Sequence, residues 1–184
     1  EFNFTFSSGV AQYPQDGATV DEVYRAADRA LSMAKLRGRS RVVLATAAKK
    51  LSEPVDVILI EDDHPLGSVL VDALEGQGLN TIWFQNAQEA REAMLSDAPY
   101  LTCKVMLIDK GLGTEDGLSL IRELKDAGRI GATYIVTCSA RMSDAEVQMG
   151  FDLGTSDHIS KPFSIPAVLK TIARGLEHYR YHGT

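Results

Sequence analysis

The stretch VMLIDKGLGTEDG, residues 105–117, places a run of apolar residues directly ahead of a single aspartate, Asp109. An apolar run of this kind is typical of a strand that is buried on both faces of a parallel sheet. The glycines after it indicate a loop, and Asp116 or Gly117 is a suitable start for the next helix. A lone carboxylate at the carboxyl end of a buried strand is therefore the first candidate for a functional residue.

Four more segments follow the same pattern and alternate with stretches of helical periodicity. The five predicted strands are VDVILI, NTIWF, KVMLI, TYIVT and DHI. The predicted helices begin at Pro65, near residue 87, at Asp116 or Gly117, near residue 144 and near Ser164. This alternation predicts an α/β fold with a doubly wound, five-stranded parallel sheet, and the flavodoxin-like strand order 2-1-3-4-5 is expected.

Acidic residues follow two strands that are neighbours in this order. The first strand ends in Glu61, Asp62 and Asp63, and the third ends in Asp109. Ligand sites in such sheets lie at the carboxyl ends of the strands, where the strand order reverses, so these carboxylates should meet. Two unit charges about 4 Å apart repel by on the order of 4 kcal/mol at a surface-like dielectric. A hard cation such as Mg2+ would relieve that repulsion.

The last two strands add a hydroxyl and an ammonium to the same edge. The fourth strand ends in Thr137, Cys138 and Ser139, and the fifth leads to Lys161 ahead of Pro162. Carboxylates with a metal ion, a hydroxyl and a lysine are suited to phosphoryl transfer, and one aspartate can serve as the nucleophile.

Residues 55–181 resemble a receiver domain of a two-component response regulator. The resemblance rests on VILIEDD, VMLIDKGLGTEDGL, IVTCSA and ISKPF, and on the spacing between them. It implies that Asp109 accepts a phosphoryl group from a sensor histidine kinase or a phosphotransfer protein. It also implies a Mg2+ site made of Glu61, Asp62, Asp109 and the backbone carbonyl of Gly111.

The same resemblance implies the parts of a conformational switch. Ser139 rather than Thr137 would bind a phosphoryl oxygen, and Lys161 would pair with another. His158 stands where the family more often has Tyr or Phe, and Gly113 stands where it often has proline. Receivers of this type often form homodimers through their last two helices, here near residues 144–152 and 164–179.

Residues 1–46 resemble the carboxyl-terminal part of a GGDEF domain, the fold of diguanylate cyclases. The resemblance rests on FTFSSGVAQYPQDG followed by AADRALSMAKLRGRSRV, and it predicts a strand, a helix and a strand. Lys35 and Arg39 would be the vestige of a nucleotide phosphate site. The signature loop is absent from these residues, so no cyclase activity is expected of them. Residues 47–54 are interpreted as a linker, and the intact protein as a regulated cyclase.

Two other classes of function compete with the phosphoacceptor hypothesis. A haloacid-dehalogenase-type phosphatase needs a second aspartate two residues after its nucleophile, where this chain has Gly111. A pseudo-receiver that acts only as a protein-binding module would not need the complete set of acidic, hydroxyl and lysine residues.

Composition narrows the remaining possibilities. The chain has 184 residues, 45% of them hydrophobic, and a net charge of −6 without a basic stripe, so nucleic-acid binding is not expected. The longest apolar run is far shorter than the roughly 20 residues of a membrane span. Cys103 and Cys138 lie in apolar runs and are predicted to be buried free thiols in a reducing, cytoplasmic setting. The chain begins with Glu1, and we expect it to be cut from a longer protein.

Overall fold

The computed structural model describes residues 5–36, 40–46, 54–95, 101–140 and 143–182. The described residues form two compact units, one up to residue 46 and one that begins at Pro54. In these ranges no helix combines the length and the apolar character needed to cross a bilayer.

The first unit consists of strand β1 (Ser8–Val10), helix α1 (Val20–Leu36) and strand β2 (Val42–Leu44). The two strands pair in parallel, which the intervening helix makes possible as a crossover connection. Small residues spaced along the helix allow it to approach the strands closely, and its buried residues are Ala26, Ala30 and Ala34. The order strand, helix, strand is the one predicted; of the alternating stretch, the described residues form a strand at Ser8–Val10, and residues 2–4 lie outside the described residues.

The second unit is built on a sheet of five parallel strands. These are β3 (Val55–Ile60), β4 (Thr81–Phe84), β5 (Cys103–Asp109), β8 (Tyr134–Ser139) and β9 (Asp157–Ser160). Their order across the sheet is β4-β3-β5-β8-β9. This is the predicted order 2-1-3-4-5, and the predicted α/β class is confirmed.

Five helices accompany the sheet. They are α2 (His64–Gly76), α3 (Ala87–Leu95), α4 (Gly117–Asp126), α5 (Asp144–Leu153) and α6 (Ile165–His182). Alternate strand residues point to opposite faces of the sheet. One set, which includes Leu59 and Leu107, packs with side chains of α2 and α6. The other set, which includes Ile60 and Ile108, is also fully buried, so both faces of the sheet are covered.

A short hairpin follows β5 and was not predicted. Strands β6 (Gly111–Leu112) and β7 (Glu115–Asp116) pair antiparallel across Gly113, whose φ of +63° favours glycine. Asp116 then caps α4, because its side chain accepts a hydrogen bond from the backbone N–H of Leu118. The loop after Asp109 is therefore an ordered structure rather than an irregular connection.

Candidate functional site

Three carboxylates meet at the carboxyl edge of the sheet. Glu61 and Asp62 follow β3 directly, and Asp109 ends the adjacent strand β5. Each offers an oxygen atom, and these oxygens lie within 4.8 Å of one another. The side chain of Glu61 is 2% exposed and that of Asp109 is 12% exposed. The strand order thus brings together the acidic residues that the sequence analysis singled out.

Lys161 supplies the positive charge of the cluster. Its Nζ donates to Asp109 Oδ2 at 2.5 Å and to Glu61 Oε2 at 2.8 Å. The backbone N–H of Lys161 donates to the carbonyl of Ser139 at 2.7 Å, which holds the start of the loop after β9 against β8. One ammonium is shared by two carboxylates that belong to different strands, so it partly balances their repulsion.

The charges in this cluster shift each other's ionisation. Burial raises the pKa of Glu61 to about 7, and the nearby negative charge of Asp109 acts in the same direction, while the hydrogen bond from Lys161 opposes it. Burial alone would lower the pKa of Lys161, but its bonds to Asp109 and Glu61 outweigh that effect, and the pKa is raised. Glu61 thus resists ionisation even beside the Lys161 ammonium, so a further positive charge in the cluster would stabilise its ionised form.

The donor set fits a divalent hard cation. Carboxylate oxygens are the ligands that Mg2+ prefers in proteins, and three of them converge here. Gly111 lies at the same edge, and its backbone N–H donates to Asp109 Oδ1 at 3.0 Å. A cation at this point would add the positive charge that the acidic cluster lacks.

Ser139 and Thr137 have different surroundings. Ser139 is 5% exposed, and its hydroxyl has no hydrogen-bond partner among the described residues. Thr137 Oγ1 contacts the carbonyl of Asp157 at 3.4 Å and His158 Nδ1 at 3.3 Å. A buried hydroxyl without a partner is costly, so Ser139 is suited to receive a hydrogen-bonding ligand.

These groups line an open cleft of about 700 Å3. Its lining residues are Glu61, Asp62, Asp63, Asp109, Lys110, Gly111, Ser139, Ala140 and Lys161. The cleft offers acidic ligands, an ammonium and an unpartnered hydroxyl around Asp109. It can therefore bind a cation and an anionic group next to each other, which is the arrangement that phosphoryl transfer requires.

Gly117 allows the loop to return to Asp109. A Cβ atom on Gly117 would lie 2.2 Å from the backbone oxygen of Asp109, far inside a normal contact. The backbone N–H of Gly117 donates to the carbonyl of Lys110 at 2.7 Å. Only glycine permits this approach of α4 to the end of β5.

Two ion-pair networks tie down the loop after Asp109, and the sequence analysis missed both. Arg91 of α3 binds Glu115 of the hairpin and Glu123 of α4, each at 2.6 Å. Lys110 Nζ binds Glu146 Oε1 of α5 at 2.6 Å. No local sequence pattern marks Arg91 or selects Glu146 as the partner of Lys110.

Of the three remaining predicted residues, His158 is not among those that line the cleft. His158 Nδ1 contacts Thr137 Oγ1, and His158 Nε2 contacts Ser160 Oγ, each at 3.3 Å. Lys35 is exposed in the last turn of α1, in the other unit. Arg39 lies outside the described residues.

Fold and site together define a class: a doubly wound α/β domain with an acidic cleft, a lysine and a hydroxyl at the reversal of strand order. A model of the family described as "Response regulator receiver domain" matches residues 57–173. The chain belongs to this family, and it contains a receiver domain of a two-component response regulator.

Curated relatives agree with this assignment over part of their length. The DNA-binding transcriptional regulator NtrC of Escherichia coli K12 is 32% identical over 124 residues, which are 67% of this chain and 25% of NtrC. The transcriptional regulatory protein CssR of Bacillus subtilis 168 is 34% identical over 107 residues, 58% of this chain and 44% of CssR. The chain thus spans less than half the length of these relatives.

Solved structures share the fold. The chemotaxis protein CheY4 of Vibrio cholerae has a TM-score of 0.58 at 19% identity, covering 67% of this chain and 100% of CheY4. The non-phosphorylated HemR receiver domain of Leptospira biflexa also has a TM-score of 0.58, at 23% identity, covering 67% of this chain and 94% of that one. At these identities the likeness concerns the fold alone.

Proposed function

We propose that this receiver domain accepts a phosphoryl group on Asp109. A carboxylate oxygen of Asp109 forms a bond to phosphorus while the bond from phosphorus to the donor's histidine nitrogen breaks. The histidine ring leaves as imidazole and takes its proton from water. The observation that supports this role is the position of Asp109, between the Lys161 ammonium, the acidic cluster and the cleft that Ser139 lines.

Glu61, Asp62, Asp109 and the carbonyl of Gly111 would hold Mg2+ in this reaction. When bound, Mg2+ supplies positive charge that stabilises the transferring phosphoryl oxygens. The convergence of three carboxylate oxygens within 4.8 Å supports the assignment.

Lys161 and Ser139 would bind the phosphoryl group once it is on Asp109. Lys161 already contacts the acceptor oxygen Oδ2, so its ammonium is in place for a phosphoryl oxygen. Ser139 has a buried hydroxyl without a partner in the described part of the chain, and a phosphoryl oxygen would satisfy it. Charge-assisted hydrogen bonds of this kind are stronger than neutral ones.

The switch is proposed to run from Ser139 through β8 to β9. A movement of Ser139 would displace Thr137 on the same strand, and Thr137 contacts His158 directly. His158 takes the place of the aromatic residue of the family, and rotation of its ring would alter the surface near α5 and α6. The output would be a change in the pairing of two copies of the chain through these helices.

The phosphoryl donor would be a sensor histidine kinase or a phosphotransfer protein. Family membership supports this partner class, because receiver domains interact with such proteins. The buried, unpaired thiols of Cys103 and Cys138 are in keeping with a reducing cytoplasm.

Residues 1–46 are proposed to be the end of a GGDEF domain, joined by residues 47–54 to a receiver at residues 55–181. The parallel strands β1 and β2 with α1 between them support this interpretation, together with the motif resemblance. Lys35 and Arg39 would then be remnants of a nucleotide site. Phosphorylation would regulate cyclic di-GMP synthesis in the intact protein.

The test is intact-mass measurement after incubation with Mg2+ and acetyl phosphate. We expect the chain to gain one phosphoryl mass, and Asp109→Asn to gain none. Asp116→Asn is the matched control, because asparagine also caps helices well and the residue caps α4 outside the acidic cluster. A folded chain that gains no mass would instead be a pseudo-receiver, a protein-binding module that works without phosphorylation.

A further inference from the structure

Helix α5 is held to the rest of its unit by few apolar contacts. Within Asp144–Leu153, only Gly150 is buried. The neighbouring helix α4, of equal length, buries five residues. Segments with little apolar burial open at a lower free-energy cost than the core. The polar contacts of α5 therefore have a large share in fixing its position.

These polar contacts differ between the two ends of the helix. Near its carboxyl end, Lys125 of α4 donates to the carbonyl of Asp152 at 3.0 Å, and Arg122 contacts Met149 Sδ at 3.7 Å. Near its amino end, Glu146 Oε1 binds Lys110 Nζ at 2.6 Å. Lys110 is the residue that follows Asp109, so the amino end of α5 is tied to the phosphoacceptor strand.

Glu146 combines two structural tasks. Its Oε2 accepts hydrogen bonds from the backbone N–H and the hydroxyl of Ser143, each at 2.8 Å, and this capping box starts the helix. Its Oε1 takes the Lys110 ammonium. Both side chains of the ion pair are partly shielded, with Lys110 23% and Glu146 33% exposed. Glu146 therefore links the start of α5 to the end of β5.

Lys110 also belongs to the cleft. It is one of the residues that line the cleft, together with Asp109 and Ser139. Its backbone is fixed on both sides, since its N–H donates to the carbonyl of Cys138 at 2.8 Å and its carbonyl accepts from Gly117 at 2.7 Å. Only the flexible side chain of Lys110 is free to change partners.

We propose that Lys110 is a charge-exchange residue that pairs with Glu146 in the unphosphorylated domain and with the phosphoryl group after transfer, releasing the amino end of α5. The proposal rests on the proposed function of Asp109. Transfer replaces one negative charge on Asp109 by about two and adds strong acceptor oxygens. Lys110 then stands between Glu146 and a more highly charged group, and the balance of attraction moves toward the cleft. Helix α5 keeps its capping box but loses its tie to β5.

Two substitutions remove the tie from opposite ends. Glu146→Gln removes the charge but keeps a side chain that can complete the capping box. Lys110→Gln removes the ammonium, and Lys110→Arg keeps a positive charge of similar reach. Arg91→Gln is the matched control. It breaks the ion pairs of Arg91 with Glu115 and Glu123, each of the same 2.6 Å length as the Lys110–Glu146 pair, and neither partner belongs to α5.

The measurement is hydrogen–deuterium exchange of the α5 amides, with and without acetyl phosphate and Mg2+, with intact mass read on the same samples. In the parent chain, without any substitution, phosphorylation should raise the exchange rate of amides in the first turns of α5 by about two- to fivefold. This is the size expected for loss of a partly exposed ion pair. Glu146→Gln and Lys110→Gln should show this faster exchange before phosphorylation and little further increase after it. Lys110→Arg and Arg91→Gln should behave as the parent chain does.

Four results would overturn the inference, and the fourth would also overturn the proposed function. If both Gln variants exchange at the parental rate in α5, the ion pair does not hold the helix. If phosphorylation still accelerates exchange in these variants as strongly as in the parent, the effect does not pass through Lys110. If the parent chain gains phosphoryl mass without any change in α5, the charge exchange fails while the role of Asp109 stands. A chain that gains no phosphoryl mass would overturn both.

Discussion

The ammonium of Lys161 lies 2.5 Å from the carboxylate of Asp109, although 52 residues separate the two in the chain. The parallel order of the sheet explains this meeting, because β5 and β9 both end at the same edge, with β8 between them. The same lysine also reaches Glu61 of the strand on the other side of β5. A single side chain thus spans the carboxyl ends of the strands that form the cleft.

Replacement of Lys161 should separate cation binding from phosphoryl acceptance. Lys161→Met leaves the three carboxylates in place and removes a competing positive charge, so the affinity for Mg2+ should be retained or increased. The rate of phosphorylation by acetyl phosphate should fall by about tenfold or more, because a charge that stabilises the transferring group is lost. Calorimetry and timed intact-mass measurements report the two quantities.

Lys104→Met is the control for that experiment. Lys104 pairs with Asp56 at 2.7 Å, on the same two strands as the acidic cluster but near their amino ends, outside the cleft. Its loss should change neither quantity. Equal loss of phosphorylation in both variants would mean that Lys161 acts through general stability rather than at the phosphoryl group.

Trp83 should report on the occupancy of the acidic cluster. It is the single tryptophan of the chain, and its indole N–H donates to the backbone carbonyl of Glu61 at 2.9 Å. A cation held by Glu61 and Asp62 will polarise that carbonyl, so the emission of Trp83 should change with a saturable dependence on Mg2+. Asp62→Asn should shift the curve to higher concentrations. A linear, non-saturating response in the parent chain would contradict the site.

The five strands could be predicted from the sequence because burial on both sheet faces requires apolar runs such as VILI and VMLI. The meeting of Glu61, Asp62, Asp109 and Lys161 followed from strand order, since carboxyl ends of parallel strands share an edge. The β6–β7 hairpin could not be predicted in this way, because strands of two residues carry no periodic pattern.

The ion pairs around the cleft were also beyond sequence reasoning. Arg91 and Glu115 are 24 residues apart and belong to a helix and a hairpin whose relative position depends on packing. Half-exposed charged residues occur throughout any surface, so neither residue type nor spacing selects the partner. The Lys110–Glu146 pair is of the same kind, and it becomes visible only when α5 is in place beside β5.

Gly117→Ala should destabilise the domain by about 1–3 kcal/mol, the range for overpacking a dense site. The added methyl would meet the backbone oxygen of Asp109 at 2.2 Å, so either α4 or the end of β5 must move. Chemical unfolding measures the loss, and phosphorylation of Asp109 should slow in the same variant. Gly76→Ala is the control, because a Cβ there has no atom within 4 Å; it should leave stability unchanged or raise it slightly. If the two substitutions changed the free energy of unfolding equally, the clash of the added methyl with the backbone of Asp109 would not destabilise the domain, and the prediction would be wrong.

The two cysteines should make the folded state lose stability in alkaline solution. Burial raises the pKa of Cys103 and of Cys138 to about 12, from an ordinary value of 9.0. Below pH 9 both thiols are protonated in the folded and the unfolded chain, and they contribute no pH dependence. Above pH 9 the unfolded chain releases the protons first, so the free energy of unfolding falls by up to about 1.4 kcal/mol per pH unit for each thiol until pH 12. Urea unfolding at a series of pH values measures this slope, and a Cys103→Ala, Cys138→Ala double variant should show a shallower one whatever its absolute stability.

Ellman's reagent should react with neither thiol in the native protein at pH 8 and with both in denaturant. Prompt reaction of the native protein would contradict the burial of the thiols, on which the predicted slope depends.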